Sequence, residues 1–408
     1  MNIGIVTAWF ERGAGYVSRQ FADIIGKEHH VFIYARGGED YAQGDPNWDK
    51  PNVYWSRRYN LFDTYMDQGE FCGWIAQHNI QAVIFNEQRY FEPLLWLKSL
   101  GVASIAYVDY YTETMLPLFQ AYDAIICNTR RHCEAFEGFE QVHYIPWGTD
   151  VSLYAPKGDS VKPASDDGRM VFFNSAGTSP ARKGTDTFLR AFYACGDIPN
   201  IKALVHAQMN LRTVMPELIP VIDELTANGR LELVEKSVTA PGLYYKADVY
   251  VYPSILDGIG LTVPEAISSG LACIASDNPP MNEFVHEEFG ALIPITKLYA
   301  RADGYYWPQC RCDTDALASI IRSFAAQPEK VAEMKKNART YAEQHLSFEK
   351  NAEQINNVLQ TVTVRDVPAG LKAKIRAFDS HREKAFMLRI NQSKVLLTAY
   401  ELFKRFHP

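Results

Sequence analysis

The chain has 408 residues, more than a single hydrophobic core usually supports, so two domains are expected. With 47% hydrophobic and 22% charged residues it is composed like an ordinary folded protein, which excludes global disorder. A net charge of −7 gives no overall electrostatic basis for binding nucleic acid. The seven cysteines are odd in number and scattered without a C-x-x-C pair, which fits a reducing compartment. The opening MNIGIVTAWF lacks a basic n-region and reads as a first buried strand, and no stretch approaches the ~20 apolar residues of a membrane span, so a cytoplasmic protein is expected.

Short β-rich apolar runs alternate with helical patterns from the first residue to about 345, the rhythm of parallel sheets covered by helices on both faces. In the first half, IGIVTA, HVFIYA, NVYWS, AVIFN, ASIAYV, AIICN and HYIP read as strands, with helices around SRQFADIIG and FEPLLWLKSLG. The polar, Gly- and Pro-rich stretch 155–168 reads as a linker, which puts a first domain at 1–160 and a second at 168–348. The rhythm restarts with MVFFNSAG, a helix from about Thr185 to Ala194, ALVHAQ, a helix near PELIPVIDELTANG, LELVEK, DVYVYPS, the PEAISSG helix and LACIAS. From residue 313 the chain turns helical, and 349–365 reads as a helix crossing back to the first domain. Two tandem Rossmann-like domains of this kind bind small ligands at the carboxyl ends of their strands.

Three stretches combine residues suited to a phosphate-bearing ligand. In DGIGLTVPE, Asp257 and Glu265 bracket Gly258 and Gly260, with Pro264 placed like the first residue of a helix. Glycines there let a ligand approach the backbone, the helix start offers N–H groups to a diphosphate, and Glu265 can accept two ribose hydroxyls. A carboxylate stabilised by the helix dipole explains the same Glu265. In SAGTSPARKGTDTFLRAF, Arg182 and Lys183 precede Gly184 at a strand-to-helix loop, an arrangement fit for phosphate and equally for a solvated surface. After the first strand, Gly13 and Gly15 suit close approach of a phosphate or sugar, although their spacing does not complete G-x-G-x-x-G.

Taken in order, these motifs resemble the retaining family-four glycosyltransferases of the GT-B fold, the "glycosyl transferases group 1" type. The likeness is carried by Asp248, Pro253, Ser254, Asp257, Gly258, Gly260, Leu261, Glu265, Ala266, Gly270 and Glu283, by Lys183-Gly184, and by IPWGTD at 145–150. It spans roughly residues 1–362. The resemblance implies two Rossmann-like domains facing across a cleft, with a nucleotide-sugar donor held mainly by the second. Lys183 would meet the phosphate charge, the backbone at Gly260, Leu261 and Thr262 the diphosphate, Glu265 the ribose, and Asp257 the sugar hydroxyls. The loop near Lys236 and Ser237 would contact the base. Catalytic roles thus fall on Asp257, Glu265, Lys183 and Asp109, without a metal or other cofactor.

The chain departs from the family pattern at three places. Asp257 stands where the family has glutamate. Thr178 stands where it has an arginine five residues before the lysine, so Arg182 is the candidate second cation. The region of the family's first-domain histidine reads IAYVDYYTET, offering Asp109, Tyr110 and Tyr111 to the donor or acceptor. The D-x-D at 313–315 directly precedes ALASII and reads as a helix cap, not a metal site.

Residues 371–408 carry nine Lys/Arg against three Asp/Glu, a local +6 that leaves −13 for the rest. With Leu396, Ala399, Tyr400 and Phe403 at helical spacing, the 366–408 tail reads either as a basic amphipathic segment lying on an anionic membrane surface or as an arm packed on its own domain or a second subunit. The leading expectation is transfer of a sugar to a saccharide or lipid-linked saccharide in cell-surface glycan assembly. Two others stand beside it: a nucleotide-sugar hydrolase or epimerase, which would release free sugar or epimer without acceptor, and a non-catalytic sugar-nucleotide-binding subunit, which would bind donor without turnover.

Overall fold

The computed structural model describes residues 1–11, 13–36, 42–57, 64–157 and 167–382, which pack into two compact units. The first comprises Met1–Asn128, His132–Ile145 and the described residues from Ala352; the second comprises Thr129–Arg131 and the described residues of Pro146–Asn351.

The first unit is built on β1 (Asn2–Thr7), β2 (His30–Ala35), β3 (Val53–Trp55), β4 (Ala82–Asn86), β5 (Ala103–Tyr107), β6 (Ala124–Cys127) and β7 (Val142–Tyr144). They form one parallel sheet in the order β3-β2-β1-β4-β5-β6-β7. Apolar runs such as AVIFN and ASIAY are buried along their whole length, as strands covered on both faces must be. Strand order reverses between β1 and β4, which opens a crevice at their carboxyl ends. There Asn86 donates to the Ala14 carbonyl at 3.0 Å and to Ser18 Oγ at 2.8 Å, and Ser18 donates to Thr7 Oγ1 at 2.8 Å. This buried chain of bonds seats the helix Gly13–Ile25 over the switch point.

The second unit repeats the plan with β8 (Met170–Gly177), β9 (Ile201–Ala207), β10 (Leu231–Glu235), β11 (Val249–Tyr252), β12 (Ala272–Ser276) and β13 (Gly290–Ile293), all parallel, in the order β10-β9-β8-β11-β12-β13. Its switch point lies between β8 and β11, and again a buried asparagine holds it. Asn174 donates to the Val251 carbonyl at 2.9 Å and accepts from Thr185 Oγ1 at 2.8 Å, which fixes the start of the helix Thr185–Ala194. At the opposite end of β11, buried Asp248 accepts the Val171 N–H at 3.0 Å and pairs with Lys335 at 2.8 Å, tying the helix Pro328–His345 to the sheet.

An antiparallel hairpin of β14 (Ile295–Tyr299) and β15 (Gln309–Cys312), unanticipated in the sequence, is stitched to the loop after β11 by the Cys310 N–H on the Ile255 carbonyl at 2.8 Å. Asp313 caps the helix Thr314–Ala325, accepting from the N–H groups of Asp315 and Ala316 at 3.0 and 2.9 Å. Asp313→Ala should therefore cost about 1 kcal/mol in urea unfolding.

The helix Ala369–Arg382 packs on the first unit. Ile375 is buried, Phe378 meets Phe91 edge-on with ring centroids 5.8 Å apart, and Asp379 accepts the N–H groups of Phe91 and Glu92 at 3.0 and 2.8 Å. The helix Glu92–Leu100 has no side-chain cap of its own, so Asp379 supplies one from the far end of the chain. The expected amphipathic spacing at Leu396–Phe403 lies outside the described residues. Among the described residues no helix is long and apolar enough to cross a membrane.

Candidate functional site

A cluster of opposite charges in the second unit sits at its switch point, on the loops that follow β8 and β11. Arg182 Nη1 lies 2.7 Å from Asp257 Oδ1, and Lys183 Nζ lies 3.2 Å from Asp257 Oδ2. The Tyr252 hydroxyl donates to the same Oδ2 and accepts from Lys183, whose ammonium also stands 4.8 Å from the Tyr252 ring centroid. Ser254 Oγ completes the ring around Oδ2 at 3.3 Å.

Gly184 makes the close approach of the two loops feasible. Its φ is +66°, and a Cβ there would lie 1.9 Å from the Pro253 carbonyl oxygen, so only glycine lets the cationic loop press against the end of β11.

Electrostatics follow from this packing. Burial alone would raise the Asp257 carboxyl, but the Lys183 and Arg182 charges beside it hold it well below the usual carboxylate range. Burial lowers the Lys183 ammonium, and the Asp257 charge opposes that fall. A carboxylate depressed in the folded state contributes stability that is present above its ordinary value of 3.8 and is lost as pH falls below it. Asp257→Asn should accordingly flatten the acid limb of stability in urea titrations run from about pH 5 to pH 2.

A second carboxylate stands one loop away. The helix begins at Thr262, so Pro264 is its third residue instead of the expected first, still within the turn whose N–H groups need no intrahelical acceptor. Gly260 adopts φ +77° to turn the chain into this helix. Glu265 follows in the first turn, its Oε2 accepting from the Tyr244 hydroxyl at 2.6 Å. Burial pushes the Glu265 carboxyl up, against the hydrogen bonds of Tyr244 and Tyr154. Leu261 flanks the helix and Thr262 opens it, so their N–H groups need no intrahelical acceptor and are suited to an anion.

Lys236 and Ser237 are exposed just past β10, with the Lys236 carbonyl 2.8 Å from His206 Nε2. The remaining candidates belong to the first unit. Gly13 opens the helix Gly13–Ile25, and Gly15 is needed for packing, since a Cβ would lie 2.1 Å from the Phe10 carbonyl oxygen. Asp109 and Tyr110 follow β5 and are half-buried, the Arg89 guanidinium lying 4.9 Å from the Tyr110 ring centroid. Tyr111 is a core residue, 0% exposed, with its hydroxyl 2.8 Å from His132 Nδ1 and its ring against Phe119 and Phe136.

The structure thus brings Lys183, Arg182 and Asp257 together, with Glu265 on the adjoining helix. Sequence reasoning missed Tyr252, Tyr244 and Arg131. Tyrosines in a buried strand or helix turn look like core, and the bonds of Arg131 reach residues more than a hundred positions away. Chemically, two cations beside a helix start can hold a diphosphate, and a carboxylate one turn on can hold a vicinal diol.

Residues 162–341 match the family model described as Glycosyl transferases group 1. No curated protein sequence matches the chain significantly. Among solved structures, sucrose-phosphate synthase from Thermosynechococcus elongatus is 19% identical, with a TM-score of 0.65 over 88% of this chain and 98% of its own. HepE from Anabaena, solved in complex with UDP, is 17% identical with a TM-score of 0.68, covering 88% of this chain and 100% of its own. WaaG, described as a glycosyltransferase involved in lipopolysaccharide biosynthesis, is 14% identical with a TM-score of 0.59, covering 87% and 99%. These likenesses establish the fold.

Proposed function

We propose that the chain, whose residues 162–341 match the group 1 glycosyltransferase model, transfers a sugar, with retention of configuration, from a nucleoside diphosphate sugar to a saccharide or lipid-linked saccharide. The observation that carries the donor assignment is the convergence of Arg182, Lys183, Asp257 and the Gly260–Glu265 turn at the β8/β11 switch point.

In this reading the diphosphate meets Lys183 and Arg182, with the N–H groups of Leu261 and Thr262 behind it, and Arg182 takes the place of the arginine that Thr178 lacks. Glu265, steadied by Tyr244, accepts the ribose hydroxyls, and the Lys236–Ser237 loop lies toward the base. Asp257 orients the donor sugar while balancing the two cations. As the glycosidic bond breaks, negative charge grows on the leaving phosphate, and fixed cations and N–H dipoles lower the barrier by meeting it. The leaving phosphate takes the proton of the acceptor hydroxyl on the same face, so no side chain need serve as general base. In the first unit, half-buried Asp109 and Tyr110 after β5 are the candidates to meet an acceptor and Gly13 and Gly15 the candidates for close approach of a phosphate or sugar, whereas Tyr111 is removed from that role by its complete burial.

HepE was solved with UDP, which makes uridine diphosphate sugars the first donors to test. The description of WaaG supports an acceptor in cell-surface glycan assembly, and the basic 371–408 segment supports work at the cytoplasmic face of an anionic membrane. The test is incubation with labelled nucleotide sugars and a panel of saccharide and lipid-linked acceptors, with the product's anomeric configuration read by NMR. A glycoside with the donor's configuration is expected. Free sugar or epimer formed without acceptor would replace transfer by hydrolysis or epimerisation, and an inverted product would end the retaining mechanism.

A further inference from the structure

We propose that Arg131 is a positioning residue for the loop that carries Asp257, an inference that rests on the donor-site reading above. Thr129–Arg131 packs as part of the second unit, and Arg131 is 2% exposed. Its Nη2 donates to two successive carbonyls, Asp257 at 2.7 Å and Gly258 at 3.0 Å, and its Nη1 donates to the Pro279 carbonyl at 2.6 Å. One guanidinium therefore ties the loop after β11 to the loop after β12. Its Cζ stands 5.3 Å from the Trp307 ring centroid, and its Nη2 lies 3.5 Å from the Tyr305 hydroxyl, both on the hairpin connection. The arginine is itself held in place: Glu283 accepts the backbone N–H groups of Arg130 and Arg131 at 2.6 and 3.0 Å.

The tie is needed because of what it holds. Asp257 is followed by Gly258 and, after one residue, by Gly260, and glycine loses more conformational freedom on ordering than any other residue. Left alone, such a loop would sample many backbone conformations, and the Asp257 carboxylate would move with it. Anchoring the carbonyls of residues 257 and 258 to a planar, always charged fork fixes the backbone, so that the carboxylate stays between Arg182 and Lys183. Lysine could not substitute fully, since a single ammonium lacks the fork that spans carbonyls of two loops.

Arg131 touches neither nucleotide nor phosphate in this account, so its loss should separate two readouts. In Arg131→Met, the nucleotide sugar should lose affinity and kcat should fall by about 30-fold, the scale of a sub-ångström to ångström misplacement. Affinity for the free nucleoside diphosphate, measured by calorimetry, should stay within about threefold, because Glu265, Lys183 and the helix start remain. Arg131→Lys should recover part of the loss. Should Arg131→Met not fold, Arg131→Lys and Glu283→Gln, which keeps one acceptor for the two N–H groups, carry the test with smaller shifts of the same split. A folded variant whose kcat and two affinities all match the wild type, or one that loses both affinities in parallel, overturns the proposal. Wild-type protein that binds no nucleoside diphosphate would instead remove the donor-site reading beneath it.

Discussion

Replacing Lys183 with methionine is expected to reduce sugar transfer by roughly 10²–10³-fold, about 3–4 kcal/mol of transition-state stabilisation, while leaving the protein folded. The side chain is 14% exposed and its ammonium meets Asp257 at 3.2 Å, so its charge acts across a partly desolvated site. Charge on the leaving diphosphate is larger in the transition state than in the bound donor, so the loss should fall on kcat more than on donor affinity. Stability should change less than activity, because Arg182 at 2.7 Å still balances Asp257. Steady-state kinetics beside a thermal melt would check both halves; unchanged kcat in a folded variant would remove Lys183 from the phosphate.

Asp248→Ala is expected to be the most destabilising of the single changes considered, by about 3–5 kcal/mol, without touching the donor site. The cost has a specific origin. Lys335, with a side chain 9% exposed, would keep a buried charge without its partner at 2.8 Å, and the Val171 N–H would lose its acceptor at 3.0 Å. The double variant Asp248→Ala/Lys335→Met should recover part of that loss, since removing both charges removes the uncompensated one. Urea unfolding of the two variants decides it, and a single variant within about 1 kcal/mol of wild type would deny the pair its role.

Much of the architecture was legible because parallel strands buried on both faces are continuous apolar runs. MVFFNSAG, DVYVYPS and LACIAS announce β8, β11 and β12, and the helix expected at Thr185–Ala194 has those limits. The hairpin of β14 and β15 escaped notice because ITKLY and QCRC mix charge with apolar residues and pair only with each other. At the site, glycines and charges were readable by type, but their purposes were not. Gly184 admits the Pro253 carbonyl, and Asp248 holds a helix to the sheet at the end of β11 away from the loops that carry Lys183 and Asp257. Tyr252 and Tyr244 were hidden by their own burial, since a tyrosine that fills a core and one that aims its hydroxyl at a carboxylate leave the same mark in the sequence. Arg131 could not be found at all from local pattern, because its partners at 257, 258, 279 and 283 are remote along the chain.

If the turn at Gly260–Glu265 and the cations at 182 and 183 hold the donor nucleotide, loss of Glu265 must weaken nucleotide binding. Calorimetric titration of wild type and Glu265→Ala with UDP, GDP and ADP tests it most directly. The wild type should bind one nucleotide saturably, and affinity should fall about tenfold or more in a Glu265→Ala protein with an unchanged fold, as expected when a carboxylate hydrogen-bonded to ribose hydroxyls is lost. Equal affinity in the two proteins, or no binding of any of the three nucleotides by the wild type, would contradict it.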